Sequence, residues 1–171
     1  MRKPSFFQSF GVLLLLLFSI IFRLKDSGLI PGEPDEFMYM SIARELPRTG
    51  VPFYLGAPFF HNLPLFTFLG SVLMPLPMGS FVAGRAISLL STLLLAALIF
   101  FYLRVRSPSE LVPFWGSFLF LFNPLTVFYS QVGIIDPLLS LLSFAAFVYF
   151  SFFLERGRWQ DSLLAGVFLA L

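Results

Sequence analysis

Residues 81–103 read FVAGRAISLLSTLLLAALIFFYL, with Arg85 as the only charge. A helix that crosses a hydrocarbon core about 30 Å thick needs about 20 mostly apolar residues, and this stretch meets that length with its charge near one end. The same test selects 5–24, 111–129 and 137–154, and a further apolar run opens near Ser162 and continues to Leu171. At 1.5 Å per residue the nine positions 163–171 rise only about 14 Å, so the sequence is expected to stop inside a fifth helix and to be the N-terminal part of a larger chain. The expected architecture is an all-α membrane protein: four transmembrane helices, a truncated fifth, and a long outside loop over 25–80 containing short amphipathic or re-entrant helices.

Composition points the same way. Of 171 residues, 58% are hydrophobic, 25 are phenylalanine and only 12% are charged, which is more apolar surface than a soluble core of this length hides. The net charge of +2 comes from basic residues scattered singly and in pairs, without the aromatic-interleaved basic patch of a nucleic-acid binder. No nucleic-acid partner is expected; the lipid bilayer is. With no cysteine there is no disulfide framework and no thiolate metal site. The opening MRKPSFFQSFGVLLLLLFSIIFRLKD has the basic start and apolar run of a secretory signal, but no small-x-small cleavage pattern follows before Arg23 and Lys25. It reads as an uncleaved anchor helix.

Orientation follows from the positive-inside rule. Arg2 with Lys3, Arg104 with Arg106, and Arg156 with Arg158 fall on one side if four helices alternate direction, which makes those ends cytoplasmic. Arg23 and Lys25 fall opposite, in a long segment shared with Asp26, Glu33, Asp35 and Glu36, and long translocated loops obey the rule weakly. The chain is expected to be an integral, multi-pass membrane protein, in the plasma (inner) membrane if its source is prokaryotic.

The outside loop is too long for a mere connection. In its first part Pro34 suits a first helical turn and Pro47 is expected to stop the helix, with Asp35, Met38, Tyr39, Ile42 and Leu46 on one face. Its second part, LPLFTFLGSVLMPLP (63–77), is apolar but short and carries Pro64, Pro75 and Pro77. It reads as an interfacial or re-entrant helix. No internal repeat is visible.

Against this apolar background the stretch PGEPDEFMYM (31–40) crowds three acids, Glu33, Asp35 and Glu36. First-turn carboxylates are favoured by the helix dipole, which alone accounts for Asp35 and Glu36. A second acid, Asp136 in SQVGIIDPLL, falls on the same membrane face at the start of the fourth span; an N-cap before Pro137 is its structural account. Arg85 near the outer end of the second span either snorkels or finds an anion, and bidentate capture of a phosphate suits it. His61, the single histidine, cannot build an ordinary zinc site alone, but it can donate to a phosphate or hydroxyl. A transporter or channel subunit is the alternative class, predicting ionisable residues deep in the spans and repeated topology; an inactive fragment is another.

The stretches PDEFMYMSIARELPRTG, HNLPLFTFLGSVL, AGRAISLLSTLLLAALIFFYL and LFNPLTVFYSQVGIIDPLLSLLSFAAF together resemble the N-terminal part of the polytopic GT-C glycosyltransferases, in the dolichyl-phosphate-mannose protein mannosyltransferase and aminoarabinose transferase group. The resemblance implies a hexosyl- or pentosyltransferase that moves a sugar from a polyprenyl-phosphate carrier to a protein, lipid or glycan acceptor on the outer face. It places Asp35 at the catalytic acidic position, with Glu36 orienting it or helping to hold a metal. Asp136 is placed at the second acidic position, on the donor sugar or a metal, and Arg85, His61 and Tyr39 among the substrate-binding residues. A divalent cation, Mg or Mn, held by Asp35, Glu36 and Asp136 is compatible with the resemblance. One departure stands out: many members carry a Lys-Pro-Pro-Leu-like element where this chain has Asn62, Leu63, Pro64 and Leu65, with His61 just ahead.

The topology is testable directly. Single cysteines replacing Gly50 and Ser107 should react with a membrane-impermeant thiol reagent from outside and from inside respectively. The reverse pattern would invert the whole assignment.

Overall fold

Proline and glycine punctuate the helices more finely than apolar length does. The structure, a computed structural model, describes residues 6–26, 32–59, 64–76, 79–109 and 111–171. Within them run α1 (Phe6–Asp26), α2 (Pro34–Thr49), the antiparallel strands β1 (Phe53–Tyr54) and β2 (Ala57–Pro58), then α3 (Pro64–Leu73), α4 (Ser80–Arg106), α5 (Leu111–Leu121), α6 (Pro124–Tyr129), α7 (Asp136–Arg156) and α8 (Trp159–Ala170). Pro34 sits in the first turn of α2, as its missing N–H allows. Pro47 does not stop that helix but lies inside its last turn; Gly50, at φ 70°, ends it, with its N–H on the Leu46 carbonyl at 2.9 Å.

The expected third span is broken. Asn123 caps α6 by accepting from the Leu125 N–H at 2.9 Å, and Pro124 follows in the first turn, so 111–129 divides into two helices. The 11 residues of α5 rise about 16 Å, roughly half a bilayer. Two helices among the described residues, Ser80–Arg106 and Asp136–Arg156, are long and apolar enough to cross a membrane; Phe10–Leu24, Pro64–Leu73 and Leu111–Leu121 are shorter apolar helices. Among the described residues the fold is thus α-helical apart from one small hairpin, and it shows two helices of that length, α4 and α7, of the four spans expected.

The helices alternate in direction, because the end of α1, the start of α4, the end of α5 and the start of α7 meet around segment 130–135. Arg23, buried near the end of α1, donates from Nε to Ser130 Oγ at 2.6 Å and from Nη2 to the Leu121 carbonyl at 2.5 Å, and Nη1 reaches Ser19 Oγ. Gln131 Nε2 returns a bond to the Arg23 carbonyl at 3.0 Å. Ser88 of α4 donates to the Ile134 carbonyl at 3.0 Å and accepts from its N–H at 3.2 Å. At the far end Arg106 pairs with Glu155, joining the ends of α4 and α7.

Two apolar clusters form the core. One gathers Tyr39, Met40, Phe66, Ile87, Leu138 and Leu142 from α2, α3, α4 and α7 around Val132 and Ile134 of segment 130–135; the other joins Leu15, Ala96 and Leu121 of α1, α4 and α5. Outside them Leu13, Leu17, Phe18 and Ile21 of α1, Leu90 and Leu94 of α4, and Phe147 and Leu154 of α7 stay exposed. Apolar patches this extensive are tolerated against lipid, not water, and the chain is a membrane protein.

Replacing Arg23 with Met should strip the donors from Ser19, Ser130 and the Leu121 carbonyl. Bonds to a charged group contribute about 1.5–3 kcal/mol each, so a net loss of about 2 kcal/mol should lower the melting temperature by roughly 4–8 °C. Arg23→Lys, which keeps the charge without the planar fork, should recover only part. Thermal unfolding in detergent checks this, and an unchanged midpoint for the Met variant would contradict the clamp.

Candidate active site

Successive residues on a helix point about 100° apart, so neighbouring acids in the first turn of α2 meet different surroundings. Asp35 is exposed, whereas Glu36 is fully buried. The buried face of α2 runs through Glu36, Tyr39, Met40 and Ala43, the i, i+3, i+4, i+7 stripe. The face expected from apolar residues is therefore rotated: Tyr39 and Ile42 are buried and Met38 and Leu46 half-buried, but Asp35 lies outside it.

What turns the helix is an ion pair. Arg85 donates from Nε to Glu36 Oε1 at 2.8 Å and from Nη2 to Oε2 at 3.0 Å, and the Gly133 N–H adds a bond to Oε1 at 2.9 Å. This is the parallel fork of guanidinium on carboxylate. The third bond requires close approach of backbones, because a Cβ at Gly133 would stand 2.9 Å from Glu36 Oε1 and 3.1 Å from Gly84. A Cβ at Gly84 would in turn stand 3.0 Å from Met40 and 3.2 Å from the Gly133 Cα. Three elements, α2, α4 and segment 130–135, are locked at one point.

That segment delivers Asp136. The cap position of α7 is Ile135, without a side-chain cap bond, and Asp136 is the first helical residue, exposed. The expected N-cap role does not hold. Burial first, and then the Asp35 and Asp136 carboxylates, push the phenol of Tyr39 on α2 above the ordinary tyrosine value. Beside Asp136 opens a cleft of about 110 Å³ between α4, α5, α6 and α7.

The metal-holding role open to Glu36 does not fit, since Arg85 and the Gly133 N–H hold both its oxygens. Among the described residues no three His, Cys, Asp or Glu side chains form a group that could hold an ion, so Asp35, Glu36 and Asp136 are not such a set. Arg85, expected to face a phosphate, turns its fork onto Glu36. His61 lies outside the described residues. The roles of Arg23, Ser88 and Gly133 are absent from the sequence reading. Only the cost of a charge inside an apolar helix signals the pairing, and the anion that answers it is one residue beyond the acid expected to matter.

Removing one partner of a buried pair costs about 3–5 kcal/mol, so Glu36→Gln should unfold at a markedly lower temperature. Asp35→Asn, exposed and one residue away, should fall within about 0.5 kcal/mol of wild type. Equal midpoints for the two variants in detergent would contradict the division between them.

No family model and no solved structure matches the chain. It is similar to the undecaprenyl phosphate-alpha-4-amino-4-deoxy-L-arabinose arabinosyl transferase of Yersinia pestis (strain Pestoides F), 29% identical over 172 residues that cover 96% of this chain and 30% of that protein. The protein of the same name from Serratia proteamaculans (strain 568) is 25% identical over 166 residues, covering 95% of this chain and 30% of the relative. The chain therefore spans 30% of the length of these curated relatives, and the similarity falls on the aminoarabinose side of the resemblance carried by the motifs rather than the mannosyl side.

Proposed function

We propose that this chain forms the N-terminal part of a multi-pass glycosyltransferase that moves a sugar from a polyprenyl-phosphate carrier to an acceptor at the non-cytoplasmic face. In this reading α1, α4, α5 with α6, and α7 cross the bilayer. The donor is an amino-sugar phospholipid of the kind the relatives' name describes. The observation that carries the reading is an exposed acid, Asp35, on a helix pinned by its buried neighbour Glu36, with a second exposed acid, Asp136, opening the helix that follows the segment on which the same Glu36 is held.

Asp35 is the base. The first turn of a helix favours its ionised form, and from the open side of α2 it takes the proton of an attacking acceptor hydroxyl. The acceptor oxygen bonds to the anomeric carbon as the bond from that carbon to the phosphate oxygen breaks, through a transition state of oxocarbenium character. The electron pair leaves on the lipid phosphate. Asp136 stands on the donor sugar side. Glu36 and Arg85 are positioning residues that set the spacing of α2 and α7, and His61 is the candidate left to meet the phosphate.

The test is Asp35→Asn in membranes expressing the chain from its native gene, read as transfer of labelled sugar from the polyprenyl-phosphate donor to membrane acceptors. Turnover should fall by about two to four orders of magnitude with thermal stability unchanged. Near-wild-type transfer would remove Asp35 from the catalytic role.

A further inference from the structure

The hairpin that follows α2 turns through Leu55 and Gly56, with Tyr54 paired to Ala57 on either side. Both central residues have positive φ, 50° at Leu55 and 85° at Gly56, as in the tight hairpin turn that asparagine-glycine and aspartate-glycine fill at low cost. Leucine is disfavoured there, because its Cβ crowds the backbone in the left-handed region. Its side chain gains nothing within the fold in return: Leu55 is 88% exposed, more than any other large apolar residue among the described ones. A residue that suits neither its backbone nor water is accounted for by a contact outside the fold.

The surroundings of the tip identify that contact. From 49 to 84 the chain has no Asp, Glu, Lys or Arg, so the hairpin lacks the polar rim that borders a protein-binding patch. Its strands are two residues long and one of them ends in Pro58, which has no N–H to offer, a poor template for an added strand. The apolar surface continues past the hairpin within the same uncharged stretch: Phe68 and Val72, one turn apart on α3, and Leu76 just after it are about half exposed. Behind the tip Tyr54 meets Phe59 edge to face at 5.9 Å, and tyrosine is a residue of the boundary between lipid and water. For a membrane protein, the surface that takes an uncharged, apolar tip continuous with an apolar helix face is the bilayer itself.

We propose that Leu55 is a lipid anchor: the hairpin tip dips into the interfacial region of the leaflet beside α2, with Tyr54 at the waterline. The tip is tied to that helix. Thr49 Oγ1 lies 2.6 Å from the Val51 carbonyl and 3.0 Å from the Glu45 carbonyl, and the Phe59 N–H closes the base of the hairpin on the Pro52 carbonyl at 2.9 Å. The anchor therefore holds the C-terminal end of α2 at a fixed depth relative to the bilayer. It needs only the membrane character of the chain and is independent of the transferase reading.

The experiment puts a nitroxide on Ala57→Cys, a position exposed beside the tip, in the native-gene product held in nanodiscs of phosphatidylethanolamine and phosphatidylglycerol. Any cysteine outside this chain is first replaced by serine. Collision of the label with oxygen, which partitions into lipid, is compared with collision with a water-soluble nickel chelate. The label at 57 should favour oxygen, whereas a label on Arg48→Cys, an exposed position at the end of α2, should favour the chelate. Adding Leu55→Asn, which suits the turn better than leucine, should shift label 57 toward the chelate while the thermal midpoint stays or rises. Leu55→Phe should keep the preference for oxygen. With Leu55 in place, a preference for the chelate at 57 would put the tip in water, and low collision with both reagents would put it against protein. Either result overturns the proposal, as does an oxygen preference that survives Leu55→Asn.

Discussion

A carboxylate with no exposure, held by a guanidinium on the next long helix, organises the end of this protein where α2, α4 and α7 meet. Burying an ion costs several kcal/mol unless its partner fits well and its remaining lone pairs are met. Here Arg85 supplies two parallel bonds and the Gly133 N–H a third. The third bond exists only because Gly84 and Gly133 let two backbones touch. The ion pair and the glycines are therefore one device, and neither explains the geometry without the other.

From that point the rest of this end of the fold follows. Fixing Glu36 inward sets the rotation of α2, which sends Asp35 to solvent and Tyr39 and Met40 into the cluster with Phe66, Ile87 and Val132. Fixing Gly133 sets the segment that begins α7, with Ser88 and Arg23 holding it on either side. Asp136 is carried to its place by backbone bonds rather than by its own side chain. The exposed acids are free for chemistry because buried polar groups nearby hold the scaffold.

Long apolar runs were legible in the sequence because their signal is additive: 81–103 and 137–154 lie inside α4 and α7. The third run is not one continuous helix for a local reason. Asn123 followed by Pro124 is a cap and a first-turn proline, and two residues outweighed an apolar stretch that length alone would make continuous. Pro47 erred the other way: α2 runs through it to Thr49, and the stop is Gly50 in the left-handed region. The sequence put Asp35 and Asp136 forward as candidates, and both are exposed in the fold, but which of the neighbouring acids on α2 turns inward was not legible. Whether Asp35 or Glu36 turns inward depends on where Arg85 sits, a tertiary fact separated from them by some fifty positions. Arg23 looked like an exception to a charge rule; in the fold it is a buried clamp whose acceptors, Ser130 and Leu121, are about a hundred positions away.

The account assigns Arg85 to the scaffold and the acids Asp35 and Asp136 to the substrate. The most direct measurement is a cryo-EM map of the native-gene product with a non-transferable polyprenyl-phosphonate amino sugar bound. The account predicts the sugar ring beside Asp136, its anomeric carbon toward Asp35, and the Glu36–Arg85 pair unbroken beneath. Arg85 swung away from Glu36 to bind the phosphonate, with the sugar remote from Asp136, would contradict it.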